Sequence, residues 1–251
     1  MRTLSTLLLS LVMVMTSTAS VPPDSLNAAA AKAYLAGDHA TALVHYTALL
    51  EFGISSDLYY NIGNCHYKLG DIAQATLHYE RALKLAPGDE DLRANLELAR
   101  ARSKDRVNEL PGSSLLAQWN RLAGGRDPDH WARISLWSVT VLFVLLAITL
   151  FLRATKIRRW VRIMGALSAL LAVGAFAMAS ARHAAITDNT GAIVMVPKVD
   201  VRSEPNGTST VLFVIHKGTK VQVLEHSGAW VEIKLANGTV GWMQEEGLTR
   251  I

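Results

Sequence analysis

The side chains that could carry out covalent or metal chemistry are few and poorly placed for it. Cys65 is the single cysteine, so the chain can form neither an intramolecular disulfide nor a cysteine metal cluster. His66 follows it, while His45 and His78 occupy equivalent positions of a repeat, which leaves too few ligands for a metal site. We interpret Cys65 as a small core residue. Without a nucleophile–base pair, the sequence predicts no catalytic residue, no metal and no cofactor.

The segment 24–109 positions these residues within a repeat of about 33 residues. A Gly-Asp pair at 37–38 recurs at 70–71, and a His-Tyr pair at 45–46 recurs at 78–79. A period of this size predicts a solenoid of helix pairs.

The second unit, 56–89, resembles a tetratricopeptide repeat along its whole length. The signature positions of that family are occupied here by Tyr59, Ile62, Gly63, Gly70, Ala75, Tyr79, Ala82 and Pro87. The first unit is degenerate, with Ala30 in place of a helix glycine. A third unit begins at position 89 but loses the pattern by Lys104, so we expect a single capping helix there. The resemblance implies an α-helical tetratricopeptide solenoid.

The resemblance also implies a concave peptide-binding groove, formed by the first helix of each pair. Asn64 matches a family position that often contacts the backbone of a ligand. The paired lysines with which one subfamily holds a C-terminal carboxylate are missing, so no such ligand is implied. A solvated helix face is the alternative interpretation. The candidate groove residues are Asp57, Tyr60, Asn64, Tyr67 and Lys68, with Asn27, Tyr34 and Asp91 beside them.

Two uncharged runs, 134–152 and 163–181, are each long enough as helices to cross a hydrocarbon core of about 30 Å. The segment 153–162 between them has no acidic residue. Because short loops rich in Lys and Arg stay in the cytoplasm, we predict a transmembrane hairpin with a cytoplasmic turn. A pair of buried helices in a soluble protein is the alternative. The cations expected to fix this topology are Arg153, Lys156, Arg158, Arg159 and Arg162.

Small residues recur through the second apolar run, and in lipid such residues allow two helices to approach closely. A weakly apolar span without a packing role is the alternative. The small residues are Gly165, Ala169, Ala172, Gly174, Ala175 and Ala179.

Residues 1–20 combine Arg2, a short apolar run and several small residues, which is typical of a secretory signal peptide. An uncleaved signal anchor is the alternative, and both place the repeat domain outside the cytoplasm. The segment 110–133 is predicted to be a membrane-proximal linker or a short interfacial helix that carries Trp119.

Short β-rich runs separated by turn residues occupy 192–251 and predict a small barrel. Five strands are expected, at 192–196, 211–215, 220–225, 230–235 and 240–243. This region resembles a bacterial SH3 domain in its opening VRSEP motif, its KGT turn and two Gly-containing motifs that include Trp230 and Trp242.

The SH3 resemblance implies binding of cell-wall peptides or of protein partners. Trp230 and Trp242 are the candidate ligand surface, and packing in the core or at the rim is the alternative for both. The net charge of +4 becomes about −1 once the five cations of the predicted turn are left out, so no nucleic-acid partner is expected.

The whole arrangement predicts a multidomain membrane protein with a tetratricopeptide solenoid, a two-helix transmembrane hairpin and a small all-β SH3-like barrel. It resembles the BatE proteins of the Bacteroides aerotolerance operon. That resemblance implies an inner-membrane component beside membrane proteins with von Willebrand A domains and a MoxR-type ATPase, in a system linked to envelope or oxidative stress.

Three function classes compete. The first is a non-enzymatic scaffold with both soluble modules in the periplasm, and the second is an envelope sensor whose SH3-like domain binds peptidoglycan. The third, a membrane enzyme, is disfavoured because neither apolar run contains an ionisable side chain.

Overall fold

A computed structural model of the protein describes residues 22–105 and 128–251. The predicted signal peptide at 1–20 and most of the segment 110–133 lie outside the described residues. The helices are α1 (Pro23–Leu35), α2 (His39–Leu49), α3 (Ser56–Leu69), α4 (Ile72–Leu85), α5 (Glu90–Arg102), α6 (Pro128–Phe151) and α7 (Thr155–Thr187).

The first five helices form the predicted repeat domain, with α1 packed on α2, α3 on α4, and α5 on α4. Side chains of Asp38, Ser55, Asp71 and Asp89 cap the N-termini of α2 to α5 by accepting a backbone N–H three residues on. Gly70 ends α3 in the left-handed conformation, with a φ of 84°. The helical solenoid is therefore confirmed, and α5 packs on its last described helix pair.

The helices α6 and α7 are both long and apolar enough to cross a membrane. Only 6% of the apolar window of α6 and 17% of that of α7 is buried inside the protein, unlike core helices of a soluble domain. Thr155–Thr187 extends well beyond the predicted run 163–181 at both ends. The helix α6 starts with Pro128, a residue favoured in the first helical turn, so the predicted segment 110–133 ends inside α6.

The turn of the hairpin differs from the prediction, since only residues 152–154 are non-helical. Of the five cations, Arg153 alone lies in that turn. Lys and Arg are good helix formers, and neither Gly nor Pro occurs between 155 and 162 to stop α7. The other four cations therefore lie in the first turns of α7, at the same end of the hairpin: Lys156, Arg158, Arg159 and Arg162.

Some of the small residues predicted to pack in the second apolar run lie where α6 and α7 approach each other. Ser168 Oγ donates to the Ser138 carbonyl at 2.7 Å, and a Cβ at Gly165 would lie 3.5 Å from a Leu142 methyl. Ala172 and Ala175 are buried, whereas Gly174 faces open space and takes no part in the packing.

The C-terminal region is a seven-stranded antiparallel sheet in the order β3-β2-β6-β5-β4-β1-β7. Its core contains Val201, Ile215, Val231, Ile233 and Met243. The five predicted strands are present, and β2 and β7 are additional, because β2 alternates charged residues with valine and β7 is very short. The strands are β1 (Gly191–Val194), β2 (Lys198–Arg202), β3 (Val211–His216), β4 (Lys220–Ser227), β5 (Trp230–Lys234), β6 (Val240–Gln244) and β7 (Leu248–Arg250).

Candidate binding surfaces

The reactive side chains of α3 and α4 are placed in the core of the repeat domain. Cys65 is fully buried, and burial raises the pKa of its thiol to about 11, so the thiol stays protonated at neutral pH. His66 stacks on His78 with ring centroids 5.4 Å apart. Burial, together with the charges of His66 and Arg81, lowers the pKa of His78 to about 3. The interpretation of Cys65 as a core residue is confirmed.

The candidate groove follows one side of α3, where its polar and aromatic residues recur at helical spacing. The Tyr79 hydroxyl of α4 donates to Asn64 Oδ1 at 2.7 Å. Burial raises the pKa of Tyr79, so this hydroxyl remains a donor. Within the described part of the chain, Asn64 has no partner for its side-chain N–H groups, which remain able to donate to a ligand. Asp57 and Lys68 are exposed at the two ends of α3.

The capping helix α5 contributes two residues that the sequence analysis did not identify. Asn95 donates to the Tyr60 hydroxyl at 2.7 Å, and the Arg102 guanidinium lies 4.5 Å from the centroid of the Tyr67 ring. Together with the α3 residues they form a polar, aromatic wall. Asn95 and Arg102 follow Asp91, a residue assigned to the groove, by four and eleven residues. This helical spacing was the signal in the sequence that could have identified both residues.

The groove residues of α1 are less uniform. Asn27 is exposed. Tyr34 packs against the core that contains Cys65, and its ring centroid lies 4.9 Å from that of His39. Tyr34 therefore contributes to packing as well as to the edge of the groove.

The two tryptophans of the SH3-like domain lie on the face of the sheet opposite its core. Trp230 pairs with Gln244, and Trp242 pairs with Arg202 on one side and Glu232 on the other. Because side chains alternate along a strand, these five residues share one face, while Val231, Ile233 and Met243 point into the core. Both tryptophans are half-buried and lie outside the core, so packing at the rim is the alternative that remains beside a ligand surface.

A surface cavity of about 400 Å³ opens on this tryptophan face. Trp230 lines it together with Lys198, Asp200, Arg202 and Gln244. An indole surface beside both charge signs can contact a polar, zwitterionic ligand such as a peptide or a peptide-bearing sugar. Trp242 is not among the lining residues.

An ion-pair interface joins the repeat domain to the SH3-like domain. Glu80 of α4 is 5% exposed and contacts Lys220 Nζ at 2.8 Å and Arg100 Nη2 at 2.7 Å. Burial by itself raises the pKa of Glu80, but Lys220 and Arg100 lower it more, so the pKa lies below its ordinary value. This carboxylate is therefore charged and fully paired.

The turn between β3 and β4 contributes further contacts to that interface. Asp105 accepts the His216 N–H at 2.6 Å and the Thr219 hydroxyl at 2.8 Å, and Lys217 pairs with Asp71 at 3.0 Å. Burial alone would raise the pKa of Asp105, and these hydrogen bonds bring it below its ordinary value. Neither the groove nor the tryptophan face takes part in these contacts, so the described parts of the two domains leave both uncovered.

The end of α7 is attached to the same assembly. Arg182 is buried and donates to the carbonyls of Lys84, at 3.0 Å, and Leu85, which belong to the last turn of α4. A cation is favourable at the C-terminus of a helix, where carbonyl groups lack helical partners. Both soluble domains thus meet at the end of the hairpin that lies away from the 152–154 turn.

Models of two protein families match separate parts of the chain. A bacterial SH3 domain model matches residues 197–249, and a tetratricopeptide repeat model matches residues 56–89. No curated protein matches the chain. The matched segments coincide with β2–β7 and with α3–α4. The chain therefore combines a tetratricopeptide-like repeat domain with a bacterial SH3-like domain, separated by two helices that are able to span a membrane.

Proposed function

We propose that this protein is a non-enzymatic inner-membrane scaffold that presents two binding modules in the periplasm. The observation that carries the proposal is the docking of both modules on each other at one end of the hairpin, through Glu80–Lys220 and Arg182. Two modules in contact must lie on the same side of a membrane. The basic residues at the opposite end of the hairpin favour the cytoplasm for the turn.

The scaffold role is supported by the two surfaces that docking leaves open. The groove offers Asn64 and Tyr67, and the tryptophan face offers Trp230. Because both are tethered to one membrane anchor, a partner held at one surface is at high effective concentration near the other, so weak individual contacts suffice. The resemblance to BatE proteins supports a Bat-type complex linked to envelope or oxidative stress, with von Willebrand A-domain membrane proteins as partners.

The proposal predicts which residue captures a partner in intact cells. A Lys68→Cys variant is labelled from outside the inner membrane with a membrane-impermeant photo-crosslinker, and a membrane protein with a von Willebrand A domain is expected in the crosslinked product. Adding Asn64→Ala should reduce the yield about tenfold, because a ligand loses the hydrogen bonds of a central contact. The products are identified by mass spectrometry.

An Arg153→Cys variant is the matched topology control and should remain unlabelled, because we assign the turn to the cytoplasm. The native Cys65 gives no background, since it is buried and protonated. Labelling at 153 but not at 68 would reverse the topology, and capture that is insensitive to Asn64→Ala would exclude the groove.

The Trp230 cavity favours a second candidate function, in which the SH3-like domain binds peptidoglycan peptides and the protein acts as an envelope sensor. The detergent-solubilised full chain is then expected to co-sediment with purified sacculi. Trp230→Ala should weaken that retention at least about tenfold, as for a central aromatic contact. Leu212→Ala, an exposed change on β3 away from the cavity, should leave it unchanged. Absence of retention would argue against this candidate.

A further inference from the structure

A cavity of about 860 Å³ lies where the repeat domain, the end of α7 and the SH3-like domain meet. We term it the junction cavity. Its basic side contains Arg81, Lys84 and Arg250, and its apolar side contains Ile54, Ile186 and Leu224. None of the described side chains that line it is acidic. Its size is that of a site for a small amphiphilic molecule.

The positive charge of the junction cavity is only partly balanced. Arg81 donates one N–H to the Arg250 carbonyl at 2.7 Å and has no carboxylate partner within residues 22–105 and 128–251. A guanidinium has five N–H donors, so most of those of Arg81 remain for a ligand. Lys84 donates to the main-chain oxygens of Asp188 and Ile251, and its charge also lowers the pKa of the nearby Asp188 carboxylate.

Two carboxylates adjoin the junction cavity without lining it. Glu245 contacts Arg250 at 3.2 Å and thereby offsets that cation. The Asp188 carboxylate accepts the Thr190 N–H at 2.9 Å. Arg81 is left, among the described residues, as the cation that would attract an anionic group into the cavity.

We propose that the junction cavity binds a phosphate-bearing amphiphile. The phosphate contacts Arg81, whose planar guanidinium matches phosphate oxygens in a bidentate arrangement, and the apolar part lies against Ile54, Ile186 and Leu224. The favoured source is an anionic phospholipid, because Ile186 lies just beyond the apolar run of α7 that ends at 181. This choice of source rests on the proposed membrane insertion, whereas the phosphate site does not.

The test uses the purified full chain in a maltoside detergent. Short-chain phosphatidylglycerol, below its micelle concentration, is titrated by calorimetry, with short-chain phosphatidylcholine and glycerol phosphate as separate arms. Phosphatidylglycerol should bind, and phosphatidylcholine should bind about tenfold more weakly because its choline is repelled by the cations. Arg81→Gln should weaken phosphatidylglycerol binding about ten- to a hundredfold, since it removes a charge-assisted hydrogen bond.

Arg81→Gln also removes a docking contact, so a second pair of variants keeps the test specific. Leu224 is 47% exposed and lies outside the barrel core. Leu224→Glu should abolish phosphatidylglycerol binding by repulsion, whereas the matched Leu224→Gln should retain it.

The possible outcomes are distinct. Glycerol phosphate binding as tightly as the lipid would keep the phosphate contact but overturn the amphiphile, because the apolar side of the cavity would then contribute nothing. Absence of phosphate binding in every arm, equal affinity for both lipids, or wild-type affinity in Arg81→Gln and Leu224→Glu would overturn the proposal. None of these results depends on topology in cells or on partner capture, so the scaffold proposal is tested separately.

Discussion

Gly63→Val is expected to destabilise the repeat domain by about 3 kcal/mol, as a forced enlargement in a packed core. A Cβ at Gly63 would lie 2.7 Å from Cδ1 and Cε1 of Tyr79, closer than real contacts of this kind. The Tyr79 ring is 1% exposed and its hydroxyl is bonded to Asn64, so it cannot move aside without breaking that bond. Hydrogen exchange of the α3–α4 peptides measures the loss of free energy of unfolding.

Two further variants separate this clash from helix propensity. Gly63→Ala should cost only about 1 kcal/mol, because alanine regains roughly 1 kcal/mol of helix propensity over glycine. In a Tyr79→Leu background, the valine should cost clearly less, because the smaller side chain leaves room for it. An equal cost in both backgrounds would show that Tyr79 is not the obstacle.

The individual elements were largely predictable because their signals are local. A Gly-Asp pair at 37–38 and again at 70–71 ends one helix and caps the next, and the structure has turns at both places. Asn237-Gly238 similarly lies in the turn between β5 and β6. The predicted basic turn was too long. Positive charge indicates on which side of the membrane a loop lies, but Lys and Arg do not oppose helix formation.

The interface between the modules was not predictable. Glu80 and Lys220 are 140 residues apart, and a glutamate on the second helix of a repeat has the pattern of a solvated face until a second domain covers it. The same reason explains Arg182, which directly follows the second apolar run in the sequence and binds the end of α4. Contacts between the modules depend on how the surfaces of two segments that are distant in the sequence fit together. Periodicity and motifs within one segment do not encode that fit.

The candidate site was predictable where it belongs to one helix. All five groove residues, which the resemblance to tetratricopeptide repeats implied, lie on α3 at helical spacing. Asn95 and Arg102 were missed because the third unit departs from the family pattern along α5. The tryptophan face required the strand register, since only the pairing of Trp242 with Arg202 and Glu232 shows that it points away from the core.

The repeat domain is expected to lose stability as the pH falls below about 6.5, where an unfolded histidine begins to take up a proton. Burial, then His66 and Arg81, hold the pKa of His78 at about 3. Its Nδ1 is buried and has no hydrogen-bond partner in the part of the chain that the structure describes. Between these two pKa values only the unfolded state binds the proton, so the contribution is complete above 6.5 and is lost as the pH falls.

The loss in free energy of unfolding follows from the linkage between proton binding and unfolding, and amounts to about 1.4 kcal/mol for each pH unit. Between pH 6.5 and 5 the loss is about 2 kcal/mol, and burial of His66, which also lowers the pKa of that residue, adds to it. The carboxylates of the interface between the modules do not explain a loss in this window. The pKa values of Asp71, Glu80 and Asp105 are all lowered, so these groups take up protons only in stronger acid.

His78→Phe separates these contributions, because it keeps a ring of similar size against His66 and Tyr59 but cannot take up a proton. Urea unfolding of the full chain, followed by hydrogen exchange of α4 peptides at pH 7, 6 and 5, should show most of the slope removed by this change. His45→Phe alters the equivalent but more exposed histidine of the first unit and should leave the slope intact. If the slope survives in His78→Phe, then burial of a neutral His78 is not what makes the repeat domain sensitive to acid.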